Sequence, residues 1–251
     1  MLNTLIQWDC LEVLKTFESS SIDLTVTSPP YDNLRTYNWF SWNFEWVAKE
    51  LYRVTKDWWV VVWVVGDQTI KWSESWTSFK QALFFKECWF NLHDTMIYAK
   101  QNPVPYHHNR YNPSFEYMFV FSKGKPKIFN PLQEPVKSIE KRHWTFRQPD
   151  GTLKKANTET PKISKMKNNI FYYVVWIEND EKTHPAKFPS KLAEDHILSW
   201  SNEWDTVLDP FAGSGTTLKM AKKNNRKYIG IEISEEYCNI IRKRLALTLN
   251  I

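Results

Sequence analysis

Glycine is scarce in this chain: six residues of 251, against fourteen tryptophans. So few glycines leave little provision for tight, left-handed turns. Cysteine is scarcer still. Cys10, Cys88 and Cys238 lie far apart and form no CxxC pair, which argues against a zinc site or a disulfide framework and agrees with a reducing cytoplasm. No apolar run reaches the ~18 residues of a membrane-span candidate. The N-terminus, "MLNTLIQWDCLEVL", has no basic region followed by a long apolar stretch, so a secretory signal is not expected. The length suits one globular domain with room for an inserted lobe.

The charge is present but unevenly placed. The net charge is +5. Between Lys123 and Asp180, twelve Lys and Arg face six Asp and Glu, so the rest of the chain is close to neutral. Phe129, His143, Phe146, Arg147, Tyr172 and Tyr173 lie among those bases. A solvated surface has the same composition, yet cations interleaved with flat rings also suit a phosphate backbone and unstacked bases.

Periodicity divides the remainder into alternating strands and helices. "CLEVLKTF" is helical in spacing, "SIDLTVT" reads as a strand, and "NFEWVAKELYRVT" is an amphipathic helix with Phe44, Val47, Leu51 and Val54 on one face. "VVVWVV" (60 to 65) is apolar enough to be buried on both faces, as in a parallel sheet. "SFKQALFFKECWF" predicts a helix, "LHDTMIYAK" and "FEYMFVFSK" strands, and "FPSKLAEDHILSW" a helix. Strand, helix, strand and helix follow in "DTVLDP", "TTLKMAKKN", "KYIGIEI" and "SEEYCNIIRKRLALTL". This alternation predicts an α/β fold, a mostly parallel sheet with helices on both faces. The basic stretch interrupts it as a lobe over 124–180, between a catalytic half over 1–123 and a cofactor-binding half over 181–251.

"DTVLDPFAGSGTTLKMAKKNNRKYIGIEIS" (205 to 234) is the most informative segment. A strand runs into Asp209, a loop carries Gly213 and Gly215, and a helix starts near Thr216, with Thr216 or Thr217 available as its cap. The next strand ends in Glu232, placed to hold ribose hydroxyls. Ligands of open α/β sheets sit beside such turns. The third glycine of a dinucleotide loop is missing, and Asp209 with Pro210 stands where a pyrophosphate would be repelled. A carboxylate there suits a ligand with an ammonium group, such as the methionine part of S-adenosylmethionine.

"TSPPY" (27 to 31) together with "DPFAGSGTT" (209 to 217) strongly resembles the amino-methylating DNA methyltransferases, which make N4-methylcytosine or N6-methyladenine. The resemblance covers nearly the whole chain, and its motif order is that of the β group. It implies a Rossmann-like S-adenosylmethionine-dependent fold, with Asp209, Pro210, Phe211, Gly213, Gly215, Thr216, Thr217 and Glu232 around the cofactor. "WDCLEVL" resembles the element whose aspartate, here Asp9, reaches the cofactor's adenine. "HPAKFPSKLAEDHI" (184 to 197), with Lys187 and Pro189, resembles the segment that helps bind the methionine end. Double-stranded DNA is the implied partner, a cognate restriction endonuclease a further one, and the cytoplasm the implied location; no metal is called for.

The chemistry explains the proline corner. An exocyclic amine delocalises its lone pair into the ring and is a poor nucleophile. Acceptors holding both amino protons aim that lone pair at the sulfonium methyl. Ser28 offers its hydroxyl oxygen and Pro29 its carbonyl, while Pro29 and Pro30 remove competing N–H donors and hold φ. Tyr31 is the expected stacking face for a flipped base. None of the three cysteines follows a proline, so no thiolate nucleophile for cytosine-C5 methylation is evident. In the family this chain resembles, serine before the prolines is commoner among cytosine-N4 enzymes and aspartate or asparagine among adenine-N6 ones, so the resemblance favours cytosine N4. An RNA or protein-amide methyltransferase shares the corner, and a non-catalytic DNA-binding relative is the remaining alternative. His107, His108 and Arg110 lie in a polar loop that suits DNA contact or plain solvation equally.

Ten tryptophans stand where physics favours glycine or a turn: Trp8, Trp39, Trp58, Trp59, Trp72, Trp76, Trp89, Trp144, Trp176 and Trp204. Restoring glycine at all ten brings its share near the usual ~7%. The expectation is a host that reads a stop codon as glycine; a tryptophan-rich lineage is the alternative. Trp42, Trp46, Trp63 and Trp200 read as true tryptophans.

Overall fold

A computed structural model describes residues 2–30, 43–103, 105, 109–136, 144–156, 163–174 and 189–249. In its first part β1 (Thr4–Gln7), α1 (Cys10–Lys15), β2 (Ile22–Thr27), α2 (Phe44–Val54) and β3 (Thr55–Val65) follow one another. A small hairpin, β4 (Thr69–Ile70) and β5 (Ser73–Glu74), leads to α3 (Thr77–Glu87), β6 (Asn91–Lys100) and β7 (Phe115–Ser122). The basic stretch carries β8 (Gln133–Pro135), β9 (Trp144–Arg147), β10 (Leu153–Ala156), β11 (Ser164–Met166) and β12 (Ile170–Tyr173). The chain closes with α4 (Ser190–Trp200), β13 (Thr206–Asp209), α5 (Thr216–Lys223), β14 (Lys227–Glu232) and α6 (Glu235–Leu247).

Eight strands form one sheet in the order β1-β14-β13-β2-β3-β7-β6-β12. β1, β14, β13, β2 and β3 are mutually parallel, so their carboxyl ends share one edge. β7 is antiparallel to both β3 and β6, and β12 is parallel to β6. The expected run of parallel neighbours around "VVVWVV" therefore holds on one side only. The apolarity of that run follows from cover on both faces, which a mixed sheet supplies equally well.

Alternation along β3 sends Val61, Trp63 and Val65 into the cluster under α1, α2 and α3, with Val13, Leu14, Leu51, Val54 and Phe85. Trp63 is fully buried, and its indole N–H donates to Gln81 Oε1 at 2.8 Å, which satisfies its polar atom inside the core. On the opposite face Leu218 of α5 packs with Ile241 and Leu245 of α6. Each such side chain contributes roughly 1.5–3 kcal/mol of hydrophobic stabilisation.

Two compact units are present, Met1–Asn130 with Asn169–Ile251, and Pro131–Asn168. The smaller unit holds two antiparallel pairs, β9 with β10 and β8 with β11. β12 belongs to the large sheet, which changes the reading of its two tyrosines. Tyr173 is buried and its hydroxyl donates to Asp195 Oδ2 at 2.9 Å, so it serves the core, whereas Tyr172 is exposed.

Candidate functional site

The shared edge of the sheet brings four chain segments together. β2 ends at Thr27, and Ser28, Pro29 and Pro30 leave it, with Pro29 buried and its neighbours half-buried. β13, the adjoining strand, ends at Asp209. β14 ends at Glu232, and β1 ends opposite it, Gln7 beside Glu232, with Asp9 two residues on. Acceptor corner and carboxylates thus line consecutive strand ends, the place where open α/β sheets bind ligands.

Asp209 is fully enclosed. Thr27 Oγ1 donates to its Oδ1 at 2.6 Å, and the Phe211 N–H donates to the same oxygen at 3.1 Å. Burial pushes its pKa up to about 6 in spite of those donors. Glu232 accepts the Gly213 N–H on Oε2 and the Ser234 N–H on Oε1, both at 2.8 Å. Burial raises its pKa as well. Asp9 caps α1, its Oδ1 accepting the Leu11 and Glu12 N–H groups at 2.9 and 3.1 Å. Its other carboxylate oxygen is not part of that cap.

The glycine loop is shaped by backbone need. Gly215 has φ +80° and is the residue before α5, and a Cβ there would lie 2.9 Å from Ile241 Cγ1. The helix carries no side-chain cap. Thr217, expected as a cap, instead donates through Oγ1 to the Val26 carbonyl at 3.1 Å, tying α5 to β2. Behind the loop, the buried Arg244 donates to Ser214 O at 2.6 Å and to Ser214 Oγ at 3.1 Å.

These residues fit S-adenosylmethionine. Among the described residues, no cation pairs with Asp209 or Glu232. Two desolvated carboxylates with no counter-charge among the described residues favour a cationic ligand that also brings hydroxyl donors, and disfavour a pyrophosphate.

Residues 22–243 match the family model described as DNA methylase, of the N6/N4 type. The chain belongs to that family. It is 54% identical to the orphan methyltransferase M.BamHII of Bacillus amyloliquefaciens, over 90% of this chain and 89% of the relative. A crystal structure of an M1.HpyAVI–SAM complex matches with TM-score 0.68 and 26% identity, covering 97% of this chain and 99% of the other. The PvuII cytosine-N4-specific DNA methyltransferase matches in fold, with TM-score 0.75 and 22% identity over 100% of this chain and 88% of that one. The protein is thus an S-adenosylmethionine-dependent DNA methyltransferase of the N6/N4 family.

Of the residues singled out from the methyltransferase's sequence, Ser28, Pro29, Pro30, Asp9, Asp209, Pro210, Phe211, Gly213, Gly215, Thr216, Thr217 and Glu232 lie along this edge. Pro189 precedes α4, and α4 packs on β2 and α5. Tyr31 and Lys187 lie outside the described residues, as do His107 and His108. Arg110 is engaged by the β4–β5 hairpin, donating to the Trp72 carbonyl and lying 3.6 Å from Glu74. All three cysteines are buried and free, and burial pushes Cys10 to about 12 and Cys238 to about 11, which leaves them as thiols. Thr27 and Arg244 were not legible from motif chemistry; a buried polar residue beside a motif was the available signal.

Proposed function

We propose that this methyltransferase moves a methyl group from S-adenosylmethionine to the exocyclic amine of a base flipped out of double-stranded DNA, with cytosine N4 as the target. The observation that carries this reading is the adjacency of the two strand ends. Thr27, the residue before Ser28, is hydrogen-bonded to Asp209 of the glycine loop, so the amine acceptors lie beside the cofactor cradle. Bound S-adenosylmethionine supplies an electrophilic methyl carbon on a sulfonium. Ser28 Oγ and the Pro29 carbonyl accept the amino protons and aim the nitrogen lone pair, Tyr31 stacks on the base, and Glu232 accepts from ribose hydroxyls. In this reading Asp9 serves the cofactor's adenine, and Lys187 and Pro189 serve its methionine end. With the cofactor bound, the nitrogen that Ser28 and the Pro29 carbonyl hold would take the methyl group and release one amino proton through those acceptors to water.

The lobe over 124–180 is assigned to choosing the DNA site. Similarity to an orphan methyltransferase favours action without a partner endonuclease, and the cytoplasm is the proposed location. The test is to digest DNA from a methylation-free host expressing the protein and weigh the nucleosides. N4-methylcytosine supports the reading in full, and N6-methyladenine keeps the mechanism but overturns the base. If neither appears while the cofactor still binds, DNA is the wrong substrate.

A further inference from the structure

Five of the ten suspect tryptophans are left-handed: Trp58 (φ 68°), Trp72 (φ 71°), Trp76 (φ 56°), Trp89 (φ 73°) and Trp204 (φ 71°). A bulky residue at positive φ is an outlier, because its Cβ crowds the backbone. Trp58, Trp72, Trp89 and Trp204 belong to four different motifs, each with its own reason for glycine, and Trp76 stands at a helix start.

Trp58 is the first residue of a two-for-one bulge: Lys123 N–H donates to the Trp59 carbonyl at 3.0 Å, while Trp58 N–H returns to the Lys123 carbonyl. That bulge is built on a left-handed glycine. Lys71 and Trp72 are the two loop residues between Thr69↔Glu74 and Ile70↔Ser73, and both have positive φ. This is the hairpin turn whose second residue is typically glycine. Trp76 precedes α3 with φ 56° and ψ 23° and makes no side-chain cap bond.

Trp89 comes just after Cys88, the residue that caps the C-terminus of α3. Its N–H reaches Lys86 O at 3.0 Å, and Phe90 N–H reaches Phe85 O at 3.2 Å. Those two bonds define the helix-ending motif whose left-handed position is usually glycine. Trp204 is the third residue of the turn closed by Asp205 N–H to Asn202 O at 3.3 Å, the position that requires positive φ in a type II turn.

The ring of Trp76 rests on Phe79 at 5.4 Å between centroids, but none of the five rings is buried in the core. All are exposed, Trp89 by 80% and Trp72 by 75%. Of the tryptophans read as genuine, Trp42 lies outside the described residues and the other three behave otherwise. Trp63 and Trp200 are buried, and Trp46 lies within α2 with Lys49 Nζ 5.0 Å from its ring. The structure also narrows the expected ten. Trp59 is buried in β3, and the described backbones of Trp8, Trp59 and Trp144 are not left-handed. Trp39 and Trp176 lie outside the described residues.

We infer that Trp58, Trp72, Trp76, Trp89 and Trp204 are glycines in the protein its host makes, the codon at each being TGA read there as glycine. This inference is independent of the methyl-transfer reading.

The experiment is peptide mass spectrometry of the protein isolated from its host, alongside the codons of the gene. Glycine masses and TGA at the five positions, with tryptophan masses and TGG at Trp46, Trp63 and Trp200, are expected. A tryptophan mass or a TGG codon at any of the five overturns the assignment for that position. A second readout needs no host material. In the tryptophan-bearing chain, Trp89→Gly and Trp204→Gly are each expected to raise Tm by ~2–4 °C, whereas Trp89→Ala and Trp204→Ala, which remove the ring but keep the strain, are not. Trp46→Gly, inside a helix, lowers it. Equal effects of glycine and alanine at positions 89 and 204 overturn the backbone argument.

Discussion

Thr27 Oγ1 donates to Asp209 Oδ1 at 2.6 Å, joining two residues 182 positions apart at the ends of neighbouring parallel strands. The bond links the loop of the proposed amine acceptors to the loop of the proposed cofactor carboxylates. Thr27→Val keeps the shape and removes the donor. A hydrogen bond to a charged group contributes about 1.5–3 kcal/mol. Cofactor affinity measured by calorimetry is therefore expected to fall roughly ten- to hundredfold, with Thr27→Ser close to the parent. Unchanged affinity in Thr27→Val removes Thr27 from the positioning of Asp209.

Asp209 also sets a pH dependence. Its folded pKa, about 6, lies above the ordinary 3.8 because the carboxyl is buried. Between those values the folded chain holds a proton that the unfolded chain has released, so stability falls as pH rises through the window. The penalty is complete above pH 6, on the order of 3 kcal/mol. Cofactor-free Asp209→Asn is therefore expected to melt above the parent at pH 7.5, with the gap closing between pH 6 and pH 4. If Asp209 faces the cofactor's ammonium as proposed, cofactor affinity of the parent should weaken below pH 6, as the carboxylate is protonated. A Tm gap independent of pH contradicts the assignment.

Glu232 holds two backbone N–H groups, from Gly213 and Ser234, one on each oxygen. Glu232→Gln retains one acceptor oxygen and loses the other along with the charge. The fold should survive, because β14 pairs on both sides through its backbone. Cofactor affinity is expected to drop about tenfold or more. Circular dichroism with calorimetry separates a binding loss from unfolding.

Gly215 combines φ +80° with a Cβ position 2.9 Å from Ile241, which is fully buried. Gly215→Ala must strain the backbone and displace α6, at a cost of about 1–3 kcal/mol. A lower denaturation midpoint is expected. Gly215→Ala combined with Ile241→Ala should recover the steric part and leave the backbone part, so a double mutant cycle that is strictly additive speaks against the close contact.

The order of strands and helices, the glycine loop and the proline corner were all legible in the sequence, because periodicity, turn residues and motif spacing are local properties. The same locality made five tryptophans recognisable as misplaced, since a turn states its need for positive φ within four residues. Three features came only from tertiary structure. β7 runs antiparallel between β3 and β6, which an apolar strand buried on both faces does not reveal. Tyr173 points into the core at Asp195, although the basic stretch around it suggested an exposed ring. Thr27 meets Asp209, Thr217 meets Val26 and Arg244 meets Ser214 through contacts 182, 191 and 30 residues long. Side chains so distant in the chain are brought together by the packing of the whole sheet, and no local pattern encodes which of them will touch.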